Sequence, residues 1–167
     1  SIKNSLFIAV VSSVFTGVIS FMGGYAFARY SFKGRNKLLT SLLLIYLFPE
    51  VLLMIPLFTI MKNMGLLNSC WAVIIAVSTN SVPFAIWLLT GFIKGVPIEL
   101  EEAGRIDGCS LPQLLLRIVL PIMKPGLIGA VSFIFINAWN EYIYAVMFTN
   151  EQSRTITVLL TTFVTSY

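Results

Sequence analysis

The amino-acid sequence predicts an all-α, polytopic membrane protein, and three observations carry that expectation. The 167 residues are 57% hydrophobic and 11% charged, with a mean hydropathy of +0.91, whereas charged residues make up about a quarter of a soluble globular domain. Four stretches of the chain are both long and nearly free of charge. The basic residues cluster in two short connections between those stretches, a distribution that fits membrane topology and argues against a nucleic-acid surface.

Crossing the hydrocarbon core takes about 20 apolar residues in a helix, which satisfies its own backbone where an open strand does not. Residues 6–28 carry no charge, 38–61 carry Glu50 alone, 70–93 carry none, and 125–149 carry Glu141 alone. A cleaved signal peptide does not account for the first, whose apolar run is too long and lacks a basic flank followed by a small-residue cleavage site. The connection at 29–37 holds Arg29, Lys33, Arg35 and Lys37, and the one at 94–124 holds Lys94, Arg105, Arg117 and Lys124. Lys3, Lys62 and Arg154 are what remains for the other side. The positive-inside rule makes the two basic connections cytoplasmic and puts both chain ends outside.

The long connection is a polar island with its own folding signals. Pro97 suits a helix start, so residues 98–106 read as a short amphipathic helix with Glu99, Glu101 and Glu102 as a solvated acidic face. Gly108 supplies the left-handed conformation that ends it; Ser110 then caps a second helix over 111–119, with Pro112 in its tolerated first turn. On physical grounds alone, such a pair lying along the membrane surface is more often a passive element than a docking site.

The chain contains no histidine, so it holds neither a His-based metal site nor a Ser-His-Asp triad, and two cysteines are too few for a four-cysteine zinc site. Cys70 and Cys109 read as packing residues on opposite sides of the bilayer. No metal ligand set is expected. The G-x-x-x-x-G-K-[ST] phosphate loop is absent, so this chain does not itself bind ATP through one. Ionisable residues inside spans are costly and point to function. Glu50, thirteenth in its stretch and following Pro49, is expected near the bilayer centre beside a bend; it either faces a water-filled pathway or is paired at a helix interface. Glu141 lies about 24 Å above the loop end of the fourth span, closing the group Asn137, Trp139, Asn140 and Glu141. Amides and an aromatic suit sugar hydroxyls and faces, but the same residues serve as packing glue and interface belt. Gly23, Gly24, Gly126 and Gly129 are expected to permit close helix contacts.

The run Glu102-Ala103-Gly104-Arg105-Ile106-Asp107-Gly108, then nine residues, then Ile118-Val119-Leu120-Pro121, resembles the E-A-A, three residues, G, nine residues, I-x-L-P signature of permease subunits of ABC importers. Every spacing is met, with Gly104 in place of the usual second alanine. The basic loop at 29–35, the Gly65-Leu66-Leu67-Asn68 turn and the Trp-Asn-Glu tripeptide extend the likeness over essentially the whole chain. It is nearest to the carbohydrate class, in the manner of the smaller permease of maltose-type importers, because Ile106-Asp107-Gly108 stands where other classes tend to have Leu-Gly-Ala.

That resemblance implies a type I ABC importer transmembrane domain over residues 1–167, with four spans present of the family's usual six, one fewer at each end, and a coupling loop at 95–121. It implies ATPase docking by Glu102, Ala103, Gly104, Asp107 and Gly108, with Glu102 pairing to basic groups in the ATPase cleft. Glu50, Asn137, Trp139, Asn140 and Glu141 become pathway or substrate candidates. The stretch 155–163 is too short to span and fits an interfacial segment; Thr157, Val158, Leu159, Leu160, Thr161 and Thr162 become binding-protein contacts. The implied setting is the cytoplasmic (inner) membrane of a bacterium or archaeon. The implied partners are a second homologous permease, two ATPase subunits that bind the ATP, an extracytoplasmic solute-binding protein and membrane lipid. No cofactor, no nucleic acid and no enzymatic activity of its own are implied. Three rival readings stand: a permease for amino acids, polyamines or ions; an ion-coupled carrier or channel with Glu50 and Glu141 as coupling carboxylates; and a structural membrane subunit.

Overall fold

A computed structural model describes residues 1–165, with side chains through residue 162. The described residues form helices joined by turns, without strands: α1 (Ile2–Arg29), α2 (Arg35–Tyr46), α3 (Glu50–Asn63), α4 (Cys70–Lys94), α5 (Ile98–Ile106), α6 (Leu111–Leu114), a π-helical turn (Leu115–Val119), α7 (Leu120–Ile122), α8 (Lys124–Asn140), α9 (Ile143–Phe148) and α10 (Ile156–Thr165). Helices α1 and α4 are each long and apolar enough to cross a membrane, as the first and third stretches predict.

Helix α1 is turned inside out relative to a soluble helix. Its large apolar side chains, among them Phe7, Val14, Phe15, Val18 and Met22, point outward, while Ser5, Ser12, Ser13, Thr16, Gly17, Ser20 and Gly24 are buried. In lipid there is no hydrophobic gain from burying a large side chain, so helices associate through small residues that let backbones approach. A Cβ built on Gly24 would sit 3.1 Å from Leu89 Cβ and 3.2 Å from the Thr90 amide nitrogen. Gly126 gives way in the same manner to the Phe92 ring, whose nearest atom would be 2.3 Å from an added Cβ. Gly129 does not fit that expectation, because nothing lies within 4 Å of it.

The second and fourth stretches are not the continuous helices that hydropathy suggests. Residues 47–49 break the second into α2 and α3, which meet at 91°. Pro49 supplies the extended N-cap of α3 (φ −60°, ψ 120°), so Glu50 opens a helix at an elbow, part-way along the broken span. The fourth breaks at Glu141, itself extended (φ −62°, ψ 123°), and resumes as α9. At its other end α8 is bent by 84° from the preceding helical segment. Pro121, which has no amide to complete an α-helical bond, lies just after the π-turn at Leu115–Val119.

Two apolar clusters mark the ends of the bundle. At the loop end, Tyr25, Leu89, Ile93, Val96, Leu114, Val119, Met123 and Ala130 pack together. At the far end, Ile8, Met61, Ala72, Val73, Tyr144 and Phe148 do so. Met61 lies in the far cluster while Arg35 opens α2 just beyond α1's loop end, so α2 and α3 together run from one end to the other. The far end is closed by Asn4, whose Nδ2 donates to the Gln152 carbonyl at 2.9 Å, and by the Ile156 amide, which donates to Ser5 Oγ at 2.8 Å. Asn68 and Gly65 take the positive φ angles of the expected turn, 63° and 68°. The stretch after the fourth span is helical as α10, which at ten residues is about 15 Å long and short of a span; the Phe163 side chain lies outside the described residues.

Replacing Gly24 by valine should force α1 and α4 apart against backbone and lower stability by about 1–3 kcal/mol, whereas Gly129→Ala should be nearly silent. Thermal unfolding of the detergent-purified protein, followed by tryptophan fluorescence, reads both.

Candidate functional site

Two sites emerge, one on the connecting loop and one inside the bundle. On the loop, α5 carries its polarity the wrong way round for a helix resting on its own protein. Glu101 is buried, 1% exposed, whereas Ile98, Leu100 and Ile106 are exposed, Ile106 to 87%. The buried carboxylate is matched fully: Arg29 Nε donates to Oε1 at 2.6 Å and the Tyr25 hydroxyl to Oε2 at 2.9 Å. Arg29 also donates from Nη2 to the Val96 carbonyl at 2.8 Å, in the turn that leaves α4. Glu101 therefore corrects the expected solvated acidic face, since a carboxylate with two donors is stable inside where an unpaired one is not.

The motif residues divide between two faces. Glu102, Ala103, Asp107 and Gly108 are exposed, as a docking surface requires. Gly104 is buried and faces its own chain: an added Cβ would lie 2.5 Å from Ile118 Cδ1. It sets the distance between the two loop helices. Gly108 has φ +83°, the left-handed value that ends α5. Ser110 caps α6 as expected, its amide donating to Gln113 Oε1 at 2.9 Å. Ile106 went unnoticed as a contact in the sequence; the signal was an apolar residue repeating Leu100 and Ala103 at threes on a face opposite the buried Glu101.

The second site is a cavity of about 250 Å³ lined by Tyr46, Glu50, Val77, Asn80, Ser81, Asn137, Asn140 and Glu141. Four of the five pathway candidates meet there. Trp139 does not: it stacks on Phe135, with centroids 6.1 Å apart, against the far apolar cluster. The aromatic of the cavity is Tyr46, stacked on Phe84 at 4.9 Å. Asn80 Nδ2 donates to Glu50 Oε1, tying the elbow to the middle of α4. Glu141 Oε1 accepts from the Tyr144 amide at 2.9 Å, capping the helix that follows the break. Tyr46, Asn80 and Ser81 were missed because one polar side chain in an apolar run carries no periodic signal. No group of three or more His, Cys, Asp or Glu among the described residues has the geometry to hold a metal.

The segment beyond the cavity is attached to it. Thr157 Oγ1 donates to the Glu141 carbonyl at 2.9 Å. Thr157, Val158 and Leu159 are half-buried, and Leu160, Thr161 and Thr162 are exposed at the far end.

Known proteins resemble this chain over nearly its whole length. Residues 7–166 match the family described as "Binding-protein-dependent transport system inner membrane component". The chain is 36% identical over 152 residues to the inner membrane ABC transporter permease protein YcjP of Escherichia coli strain K12, covering 91% of this chain and 54% of that one. It is 35% identical over 167 residues to the diacetylchitobiose uptake system permease protein DasC of Streptomyces coelicolor, covering 99% and 60%. Among solved structures, a bacterial ABC transporter involved in import of the acidic polysaccharide alginate superposes with a TM-score of 0.82 at 25% identity, over 99% of this chain and 57% of that one. The chain thus spans between half and two thirds of the length of these relatives.

Gly108→Val should cost on the order of 1–2 kcal/mol, the penalty of a left-handed backbone for a residue with a Cβ. Gly104→Ala should cost less, because the atom it meets is the free end of Ile118. Unfolding midpoints of the two purified variants should rank in that order.

Proposed function

Since this chain belongs to the inner membrane components of binding-protein-dependent transport systems, we propose that it forms half of the translocation pathway of an ATP-driven carbohydrate importer and docks an ATPase through residues 95–121. The carrying observation is the inverted α5. A helix that buries Glu101 and exposes Leu100, Ala103 and Ile106 three residues apart presents an apolar ridge with Glu102 and Asp107 beside it, a surface suited to a partner groove with basic walls. ATP hydrolysis belongs to that partner. Closure of the groove pulls on α4 and α8, which are joined covalently to the loop, and so changes access to the cavity.

The carbohydrate assignment rests on the cavity. Tyr46, Asn80, Ser81, Asn137 and Asn140 offer both donors and acceptors, Glu50 and Glu141 acceptors, which is the mixture that sugar hydroxyls need. The uptake of diacetylchitobiose and of alginate by the relatives' systems agrees with that chemistry. The remaining partners are a second homologous permease, which completes the pathway, and a solute-binding protein at the far end, where Leu160, Thr161 and Thr162 of α10 are exposed. The loop end faces the cytoplasm, following its lysines and arginines.

Glu102→Lys in the complete permease should abolish co-purification of the ATPase or uncouple hydrolysis from uptake, because it sets like charges together. Ile106→Lys should do the same by placing a charge where an apolar contact forms. Normal assembly and uptake in both variants would make the loop a passive element.

Orientation has its own check. Cys109 should react with a membrane-impermeant thiol reagent in inverted vesicles and stay unlabelled in intact cells, while any reaction of Cys70 should show the opposite sidedness. Labelling of Cys109 from outside would reverse the topology.

A further inference from the structure

The covalent chain connects the docking loop to α4 and α8; α1 is not joined to it. Yet the strongest polar contact of the loop is with α1. We propose that Arg29 and Glu101 are positioning residues that lock α1 to α5, so that the first span moves as one body with the docking helix during the transport cycle. The inference rests on the docking reading above and adds a third span to what the ATPase drives.

Four observations support it. Arg29 is the last residue of α1, a position from which a long basic side chain ordinarily reaches out to water, but here it points inward and is 9% exposed. It holds two parts of the loop at once, the Glu101 carboxylate at 2.6 Å and the Val96 carbonyl at 2.8 Å, and two attachment points fix a tilt where one would leave a swivel. Tyr25, one turn earlier on α1, holds the other carboxylate oxygen at 2.9 Å. Both oxygens of Glu101 are thereby bound to the same helix. Finally, Glu101 lies in the first half of α5 and the exposed Ile106 at its other end. A force applied at that exposed end passes through the Arg29 contact to α1, so that the two helices tilt together. Apolar packing at the same place would resist separation but would let the helices slide.

The test uses the complete permease assembled with its ATPase and binding protein in proteoliposomes, with Cys70 and Cys109 replaced by serine. Glu101→Gln keeps the shape and removes the charge. The expected result is an assembled complex that still hydrolyses ATP but moves at least several-fold less solute per ATP; a merely structural role would lower the amount of complex and leave that ratio alone. Arg29→Cys combined with Glu101→Cys should show the same low ratio, and linking the two thiols with a short bifunctional reagent should restore it. Should Glu101→Gln fail to accumulate, Tyr25→Phe, which removes a single hydrogen bond, should lower the ratio in the same direction. An unchanged ratio in the assembled variants overturns the proposal and leaves docking intact, as does a link that stops transport, which would mean that α1 and α5 must separate. Docking itself fails by a different result, normal coupling in Glu102→Lys and Ile106→Lys.

Discussion

The buried ion pair between Arg29 and Glu101 governs the loop end of this protein. Removing one partner of such a pair strands the other charge and typically costs about 3–5 kcal/mol, so its two ends must be placed together by everything around them. Helix α1 has to end at Arg29, α4 has to turn at Val96, and α5 has to begin in the phase that brings Glu101 inward. That phase has a consequence on the opposite face. With the carboxylate satisfied inside, the helix's apolar residues are left outside, and an apolar ridge beside Glu102 and Asp107 becomes available to a partner. The exposed apolar face of α5 is thus a by-product of how the loop is anchored.

Lipid imposes the complementary rule on the spans. Large apolar residues line the outside of α1 while serines, a threonine and glycines are buried, Gly24 against α4 and Gly17 against α8, because close backbone approach is what holds helices together where hydrophobic burial does not. The cores at the two ends are therefore modest apolar clusters, and between them the structure tolerates a polar cavity bordered by Glu50, Asn80, Asn137, Asn140 and Glu141.

What the sequence disclosed follows from which signals are local. Charge-free length found α1 and α4 to within a few residues, and Pro97, Gly108 and Ser110 placed the loop helices, because caps and turns are read from neighbours. Pro49 announced a bend, though a 91° elbow needed the packing of α3 to appear. The break at Glu141 was not legible: Asn140-Glu141-Tyr142 contains neither proline nor glycine, and the extended backbone there depends on Thr157 binding the Glu141 carbonyl from sixteen residues away. Nor could the sequence choose between Glu101 and Glu102 for the buried position. Adjacent glutamates look alike until Arg29, 72 residues distant, selects one. Trp139 misled for a similar reason, since its place in a tripeptide says nothing of which face of α8 it occupies.

The two broken spans and the cavity belong to one physical problem. Non-helical backbone at membrane depth is sustained only where it is buried in protein or lines a polar space, and both breaks border the same cavity. A side chain that lines the cavity sits at each: Glu141 caps the Tyr144 amide, and Glu50, at the start of α3, is tied across to α4 by its bond from Asn80. The carboxylates thus hold helix ends in place while keeping further acceptor capacity for a guest. A pathway built this way can change shape by re-pairing a few polar groups at the breaks, with α1 and α4 remaining packed through their small residues. On the proposed function, the broken second and fourth spans would form the solute's surroundings, while the closely packed α1 and α4 would carry motion in from the loop.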